Sequence, residues 1–276
     1  MIPPIANNFV AGETPDSALS HVEGLNDDGV AGILNLLGEH YEDPANATED
    51  TEEYIQLARM IADRDADACV SVKPSQLGID ISGEVFEENL GRIVDAADCR
   101  VWVDMEDHTT TDTTLDAYEK YTRQTDGNMG LCVQANLKRT GEDLEQLADL
   151  PGKVRLVKGA YDEPAEIAHK DKDTVDAVYK DLLEYAFREF DGGIGVGSHD
   201  PEMISYAREL HEEYGTPYEV QMLMGVRESA QTELAAEGIP VYQYIPYGSK
   251  WFSYFYRRVR ERKENLAFAA RAVLTG

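Results

Sequence analysis

The sequence predicts an α/β protein: a (β/α)8 barrel of the TIM type with an N-terminal helical extension, folded as a single domain over residues 1–276. Three observations carry that expectation. Eight short apolar runs alternate with amphipathic segments, the rhythm of parallel strands joined by crossover helices. A chain of 276 residues matches one such barrel, which takes about 250. No linker, composition shift or low-complexity stretch interrupts the series. A doubly wound open sheet shares the alternation, but eight evenly spaced units favour closure.

The elements follow in order. Ile5–Leu25 carries helical spacing and is expected to pack outside the core. Ala31–Leu37 is the first strand, followed by a polar loop, GEHYEDPANATED, and an amphipathic helix over Thr51–Asp65. Ala68–Lys73, Arg100–Asp104, Gly130–Gln134 and Val154–Lys158 read as strands two to five. Helices over Ser82–Ala97, Thr111–Gln124, Gly141–Leu147 and Thr174–Phe190 follow them in turn. Gly193–Gly197, Tyr218–Leu223 and Val241–Ile245 complete the strands, with helices at Pro201–Tyr214 and Arg227–Glu237 between them. Pro246 and Gly248 break the last strand, and Trp251–Leu266 reads as a helix.

Charge narrows the function. Acidic residues number 53 against 25 basic, a formal net charge of −28. That excess repels nucleic acid and anionic lipid, so neither is expected as a main partner. Salt would screen the self-repulsion, which suggests a cytoplasmic protein from a high-salt organism. Cys69, Cys99 and Cys132 form no CxxC pair and suit a reducing compartment. The N-terminus shows no signal-peptide pattern, and no apolar stretch approaches a membrane span. Asn46-Ala47-Thr48 matches a glycosylation sequon, for which chance is the better account.

Chemistry gathers where the strands end. Lys73, Asp104, Gln134, Arg155 with Lys158, Ser198-His199, Gln221 with Leu223, and Tyr244 terminate seven of them. Such convergence at one mouth is the pattern of a catalytic barrel. Lys73 or Lys158 could act as a Schiff-base nucleophile in an aldolase-type lyase. Gly159-Ala160 after Lys158 suits a close phosphate approach instead. Asp104, Glu106, Asp107 and His108 could hold a divalent metal, although no second His or Cys cluster supports one, and none is expected. Gly193, Gly195 and Gly197 lie within a strand and are no dinucleotide fingerprint; ligand approach or tight barrel packing would explain them. On the last helix Tyr254, Arg257, Arg258 and Glu261 share one face, and two arginines beside a carboxylate form a fork suited to a small carboxylate. A solvated charged face is the other account of that spacing.

VRLVKGAYDEP (Val154 to Pro164), EVQMLMG (Glu219 to Gly225) and YIPYGSKWFSYFYRRVRE (Tyr244 to Glu261) occur in that order on the predicted strands. Together they resemble the proline dehydrogenase family, flavin-dependent barrels that oxidise L-proline, and the resemblance spans nearly the whole chain. It implies FAD, held noncovalently across the barrel mouth. It further implies that Arg155 lies by the reactive nitrogen of the isoalloxazine, with Met105 and Gln134 against the ring. Val157, Lys158, Gly159, Ala160 and Tyr161 would hold the ribityl and pyrophosphate region, and Ser198 and His199 match a Thr-His pair on the cofactor side. For the substrate, Arg257 and Arg258 would clamp the carboxylate, with Glu261 fixing the fork and Lys73 completing the cationic end. Leu223, Tyr244 and Tyr254 would wall the pyrrolidine ring. Asp104, read with Arg155 as catalytic, would pair with Lys73 or an arginine. The bulk of Tyr244 would favour proline over hydroxyproline, although a hydroxyproline-oxidising relative is an alternative. The product, pyrroline-5-carboxylate, would pass to a separate dehydrogenase, since no aldehyde dehydrogenase domain is expected. Electrons would pass to a membrane quinone or another acceptor by transient contact. Three departures stand out: Ser198 for threonine, Asp200 for asparagine, and Met224 for an aromatic.

Overall fold

A computed structural model describes residues 6–252 and 254–256. Its centre is a closed barrel of eight parallel strands: β1 (Val30–Leu36), β2 (Ala68–Val72), β3 (Val101–Val103), β4 (Met129–Gln134), β5 (Lys153–Val157), β6 (Ile194–Gly197), β7 (Tyr218–Leu223) and β8 (Val241–Tyr247). Closure runs through the β1–β8 ladder, in register from Val30↔Val241 to Leu36↔Tyr247. The helices are α1 (Pro15–Asp27), α2 (Pro44–Asp63), α3 (Gly83–Ala96), α4 (Thr111–Gln124), α5 (Thr140–Leu147), α6 (Lys172–Glu189), α7 (Pro201–Tyr214) and α8 (Glu228–Ala236). Helices α2 to α8 cross between successive strands, so the layer between barrel and helices holds most of the apolar core.

Three expectations change. The segment before β1 does not stay outside the core. α1 buries Ala18, Leu19 and Val22 on the outside of the barrel, and Val22 occupies the space that a side chain on Gly32 would need. Thr14 caps this helix by accepting from Ser17 N–H, and Pro15 opens it.

The polar loop after β1 is shorter than expected, because α2 begins at Pro44 rather than Thr51. Asp43 accepts from Ala45 N–H as the cap, and Pro44 sits at the first helical position, where a missing N–H costs nothing. The proline starts a helix here. The sequon Asn46–Thr48 therefore lies in a helical turn.

The last strand runs through Pro246 to Tyr247. Leu223↔Tyr244 is the final β7–β8 pair, so Pro246 lies beyond the rungs that β7 occupies. The N-terminal segment takes part of that edge, with Ala11 N–H donating to Pro246 O at 2.9 Å. The remaining boundaries agree to within two residues, and those of α4, α7 and β7 agree at both ends. Trp251, Phe252 and residues 254–256 are helical. Arg257, Arg258 and Glu261 lie outside the described residues.

Tyr54 of α2 ties the first two strands together beneath the mouth. Its buried hydroxyl accepts from Leu36 N–H at 3.0 Å and donates to Ser71 O at 2.8 Å. Tyr54→Phe leaves a buried backbone N–H without its partner, and such a group costs about 1–3 kcal/mol. Chemical denaturation should report a stability loss of that size, with the barrel still formed.

Candidate active site

Period-two alternation turns every second strand residue inward. In β2 these are Cys69 and Ser71, with Lys73 just beyond; in β3, Trp102, with Asp104 just beyond; in β4, Cys132 and Gln134. In β5 they are Lys153, Arg155 and Val157, and in β7 Glu219, Gln221 and Leu223. β8 contributes Tyr242 and Tyr244. The mouth opens as a cavity of about 1140 Å3 at the C-terminal ends of the strands.

Asp104 is the hub. Its carboxylate accepts from Ser71 Oγ at 2.8 Å, from Tyr244 Oη at 2.7 Å and from Lys73 Nζ at 3.4 Å, and it pairs with the Arg155 guanidinium. Asp104 is 7% exposed and Arg155 4%, so this is a buried charge network. The guanidinium is further packed against the rings of Trp102 and Tyr244, with its carbon 5.0 and 5.6 Å from their centroids. One carboxylate thus stands between two cations, leaving local positive charge at the base of the cavity.

The charges are mutually enforced. Burial alone would raise the Asp104 carboxyl, but Lys73, Arg155 and the Tyr244 and Ser71 hydroxyls hold it down at about 2, against an ordinary 3.8. Burial pushes the Lys73 ammonium down, and Asp104, with Tyr161, Glu106 and Glu39, more than reverses this and raises it. Because the native carboxyl resists protonation, its contribution to stability is full above pH ~4 and is lost as pH falls towards ~2. The stability gap between wild type and Asp104→Asn should therefore narrow by about 2 kcal/mol over that interval in denaturant titrations. A gap constant with pH would contradict the network.

The other predicted residues fall around the same cavity. Met105, Val157, Leu223 and Tyr254 supply apolar surface, and Gln134, Lys158, Gly159, Ala160, Tyr161, Ser198 and His199 line the rest. Gln134 Nε2 donates to Glu106 O at 2.8 Å. Gly159 has φ +109°, and a side chain there would meet Asn136 Oδ1 at 2.1 Å, so β5 can turn only through glycine. Ser198 Oγ accepts from Asp200 N–H at 3.1 Å, and Leu223 N–H approaches His199 Nε2 at 3.4 Å. Asp200 caps α7 through Glu202 N–H and also takes Lys158 at 3.0 Å, while Asp176 of α6 takes the same ammonium.

The acidic loop after β3 is dispersed. Glu106 accepts from Ser75 N–H and hydroxyl, and His108 Nδ1 pairs with Glu163 Oε2 at 2.6 Å. Among the described residues no cluster of three metal-ligating side chains occurs.

Ser71, Lys250 and Glu219 were not singled out from the sequence, Cys132 only as an unpaired cysteine, and Gln221 only as a strand end. Ser71, Cys132 and Glu219 lie one inward step below Lys73, Gln134 and Gln221, which is the signal that could have found them. Lys250 enters through the start of the last helix, where its ammonium sits against Tyr41 Oη and 3.8 Å from Asp50.

Comparison with known proteins gives a consistent picture. The family model described as proline dehydrogenase matches residues 18–271. The chain is 36% identical over 275 residues to proline dehydrogenase 1 of Bacillus subtilis subsp. natto, covering 98% of this chain and 90% of that protein. It is 37% identical over 284 residues to the proline dehydrogenase of Deinococcus radiodurans, covering 99% and 91%. Among solved structures it resembles proline utilization A from Bdellovibrio bacteriovorus with a TM-score of 0.82 and 23% identity. That match covers 92% of this chain but 32% of the other, and it concerns the fold.

Proposed function

The chain belongs to the proline dehydrogenase family and is an oxidoreductase of proline catabolism; from that premise we propose that its mouth binds FAD and L-proline side by side and yields 1-pyrroline-5-carboxylate. The observation that carries this reading is the network of buried Asp104 and Arg155 with half-buried Lys73 at the floor of a cavity of about 1140 Å3.

The residues fit such a cofactor. The cavity exceeds the ~300–1,000 Å3 of common small-molecule sites, as a dinucleotide with a second small ligand requires. Gly159 and Gly197 leave backbone at its wall without side chains, and Lys158 and His199 place polar nitrogens there. Met105, Val157 and Leu223 offer apolar surface for a ring system. When bound, the flavin supplies the acceptor for the hydride that leaves the proline δ-carbon.

The chain's own residues do the rest. Arg155, held cationic, sets a positive charge at the floor, where it favours negative charge developing on a group above it. Lys73 faces the cavity as an ammonium and takes the substrate carboxylate. Arg257, Arg258 and Glu261 complete that clamp, and Tyr254 with Leu223 and Tyr244 walls the ring. Tyr244, anchored to Asp104, leaves little room for a ring hydroxyl. Gln134, Ser198, His199 and the 157–161 turn hold the cofactor, Met105 contacts its ring, and the whole forms one domain.

The aldolase reading is disfavoured by the same geometry. A Schiff-base lysine must lose its proton to attack. Lys73 is instead stabilised in the charged form by Asp104, and Lys158 is held between Asp176 and Asp200.

We place the protein in the cytoplasm of a high-salt organism, with a separate dehydrogenase taking the product and a quinone the electrons. Among the described residues no helix is long and apolar enough to cross a membrane. Turnover of L-proline with an artificial electron acceptor in high salt tests the assignment, and hydroxyproline should be turned over far less well. Borohydride trapping of substrate on a lysine, without acceptor-dependent turnover, would overturn it.

A further inference from the structure

A line of side chains crosses the barrel interior below the site just described. Arg155 Nη1 donates to Gln221 Oε1 at 3.0 Å, Gln221 Nε2 donates to Glu219 Oε1 at 2.7 Å, and Glu219 pairs with Lys153. Gln221 is 4% exposed and Glu219 3%, so neither amide nor carboxylate has bulk water as a substitute.

The fold makes this crossing possible by leaving β6 bare. β6 lies between β5 and β7, with Arg155↔Gly195 and Gly195↔Glu219 in register. A side chain on Gly195 would come within 2.9 Å of Gln221 Nε2 and 3.2 Å of Arg155 Cβ. The glycine strand is therefore a gap through which β5 and β7 side chains meet.

Donor and acceptor roles fix the orientation. A guanidinium only donates and a carboxylate only accepts. Gln221 can satisfy both neighbours in one way, oxygen towards Arg155 and nitrogen towards Glu219. Asp104 holds Nη2 and Gln221 holds Nη1, so the plane of the guanidinium is set at both ends. Without Gln221 the Nη1 end loses this hydrogen bond, and the guanidinium is held by Asp104 and Ser71 at Nη2 and by the two rings.

We infer that Gln221 and Glu219 are positioning residues for the oxidation: Glu219 orients the Gln221 amide, and that amide fixes the Arg155 guanidinium beneath the cofactor. This rests on the proposed placement of the flavin over Arg155. A loosened cation stabilises the electron-rich cofactor less, so both its potential and its rate of reduction fall.

The test compares Gln221→Met, Glu219→Gln and Arg155→Ala, all flavin-loaded and in high salt. Spectroelectrochemical titration should show Gln221→Met shifting the flavin reduction equilibrium tenfold towards the oxidised form, about 30 mV for two electrons. Stopped-flow reduction at saturating proline should slow about tenfold in Gln221→Met, with Glu219→Gln shifted in the same direction. Wild-type potential and rate in Gln221→Met, with both altered in Arg155→Ala, would overturn the inference and leave the proposed function standing. No change in Arg155→Ala would sink the placement of the flavin over Arg155, and the inference with it.

Discussion

Arg155→Ala is expected to lower the rate of flavin reduction at saturating proline by about 10²–10³, the usual consequence of removing one preorganised group that stabilises developing charge. The guanidinium is buried, paired with Asp104, hydrogen-bonded to Gln221 and packed on two aromatic rings, so its position is fixed before any ligand arrives. A fixed cation does not reorganise during the reaction, which is why its loss falls on the chemical step. Flavin should remain bound, because the Gly159 turn, Ser198 and His199 are untouched. Proline KM should change much less than kcat, since Lys73 still faces the cavity. Rapid-mixing absorbance gives the rate directly. An unchanged rate would remove Arg155 from the mechanism.

Asp104→Ala should have the larger effect on stability. It leaves the buried Arg155 and the half-buried Lys73 without their shared counterion, and strands the Tyr244 and Ser71 hydroxyls. Breaking a buried pair from one side costs about 3–5 kcal/mol, because the remaining charge stays desolvated. That is a large share of the ~5–15 kcal/mol that holds a domain folded. Denaturant titration should show the midpoint falling well below that of wild type. The double variant Asp104→Ala/Arg155→Met should recover part of the loss, because it removes one stranded cation. A double variant no more stable than the single one would show that charge burial is not the cause.

The barrel was legible because it depends on repetition. Eight apolar runs with helical segments between them leave few alternatives once the length matches closure. Each inward residue at a strand end was legible for the same reason, since period two and strand direction together place Lys73, Asp104, Arg155 and Tyr244 at one mouth. Contacts between elements far apart in sequence were not. Asp43 and Pro44 begin a helix, yet Pro44 can equally be read as part of a loop, and Tyr54 shows no sign in the sequence that it braces Leu36 and Ser71. Gly193-Ile-Gly-Val-Gly197 was read as room for a ligand or for tight packing. At Gly195 the neighbours are Gln221 and Arg155, which identifies packing. The departure at Asp200 gained a physical account only in three dimensions, where it caps α7 and binds Lys158.

The most direct test is an absorption spectrum of the protein purified in high salt, recorded before and after anaerobic L-proline. The account predicts oxidised-flavin bands that bleach on addition of L-proline. Bands that persist unchanged would contradict proline as the reductant, and a colourless protein that takes up no FAD would contradict the site as a whole.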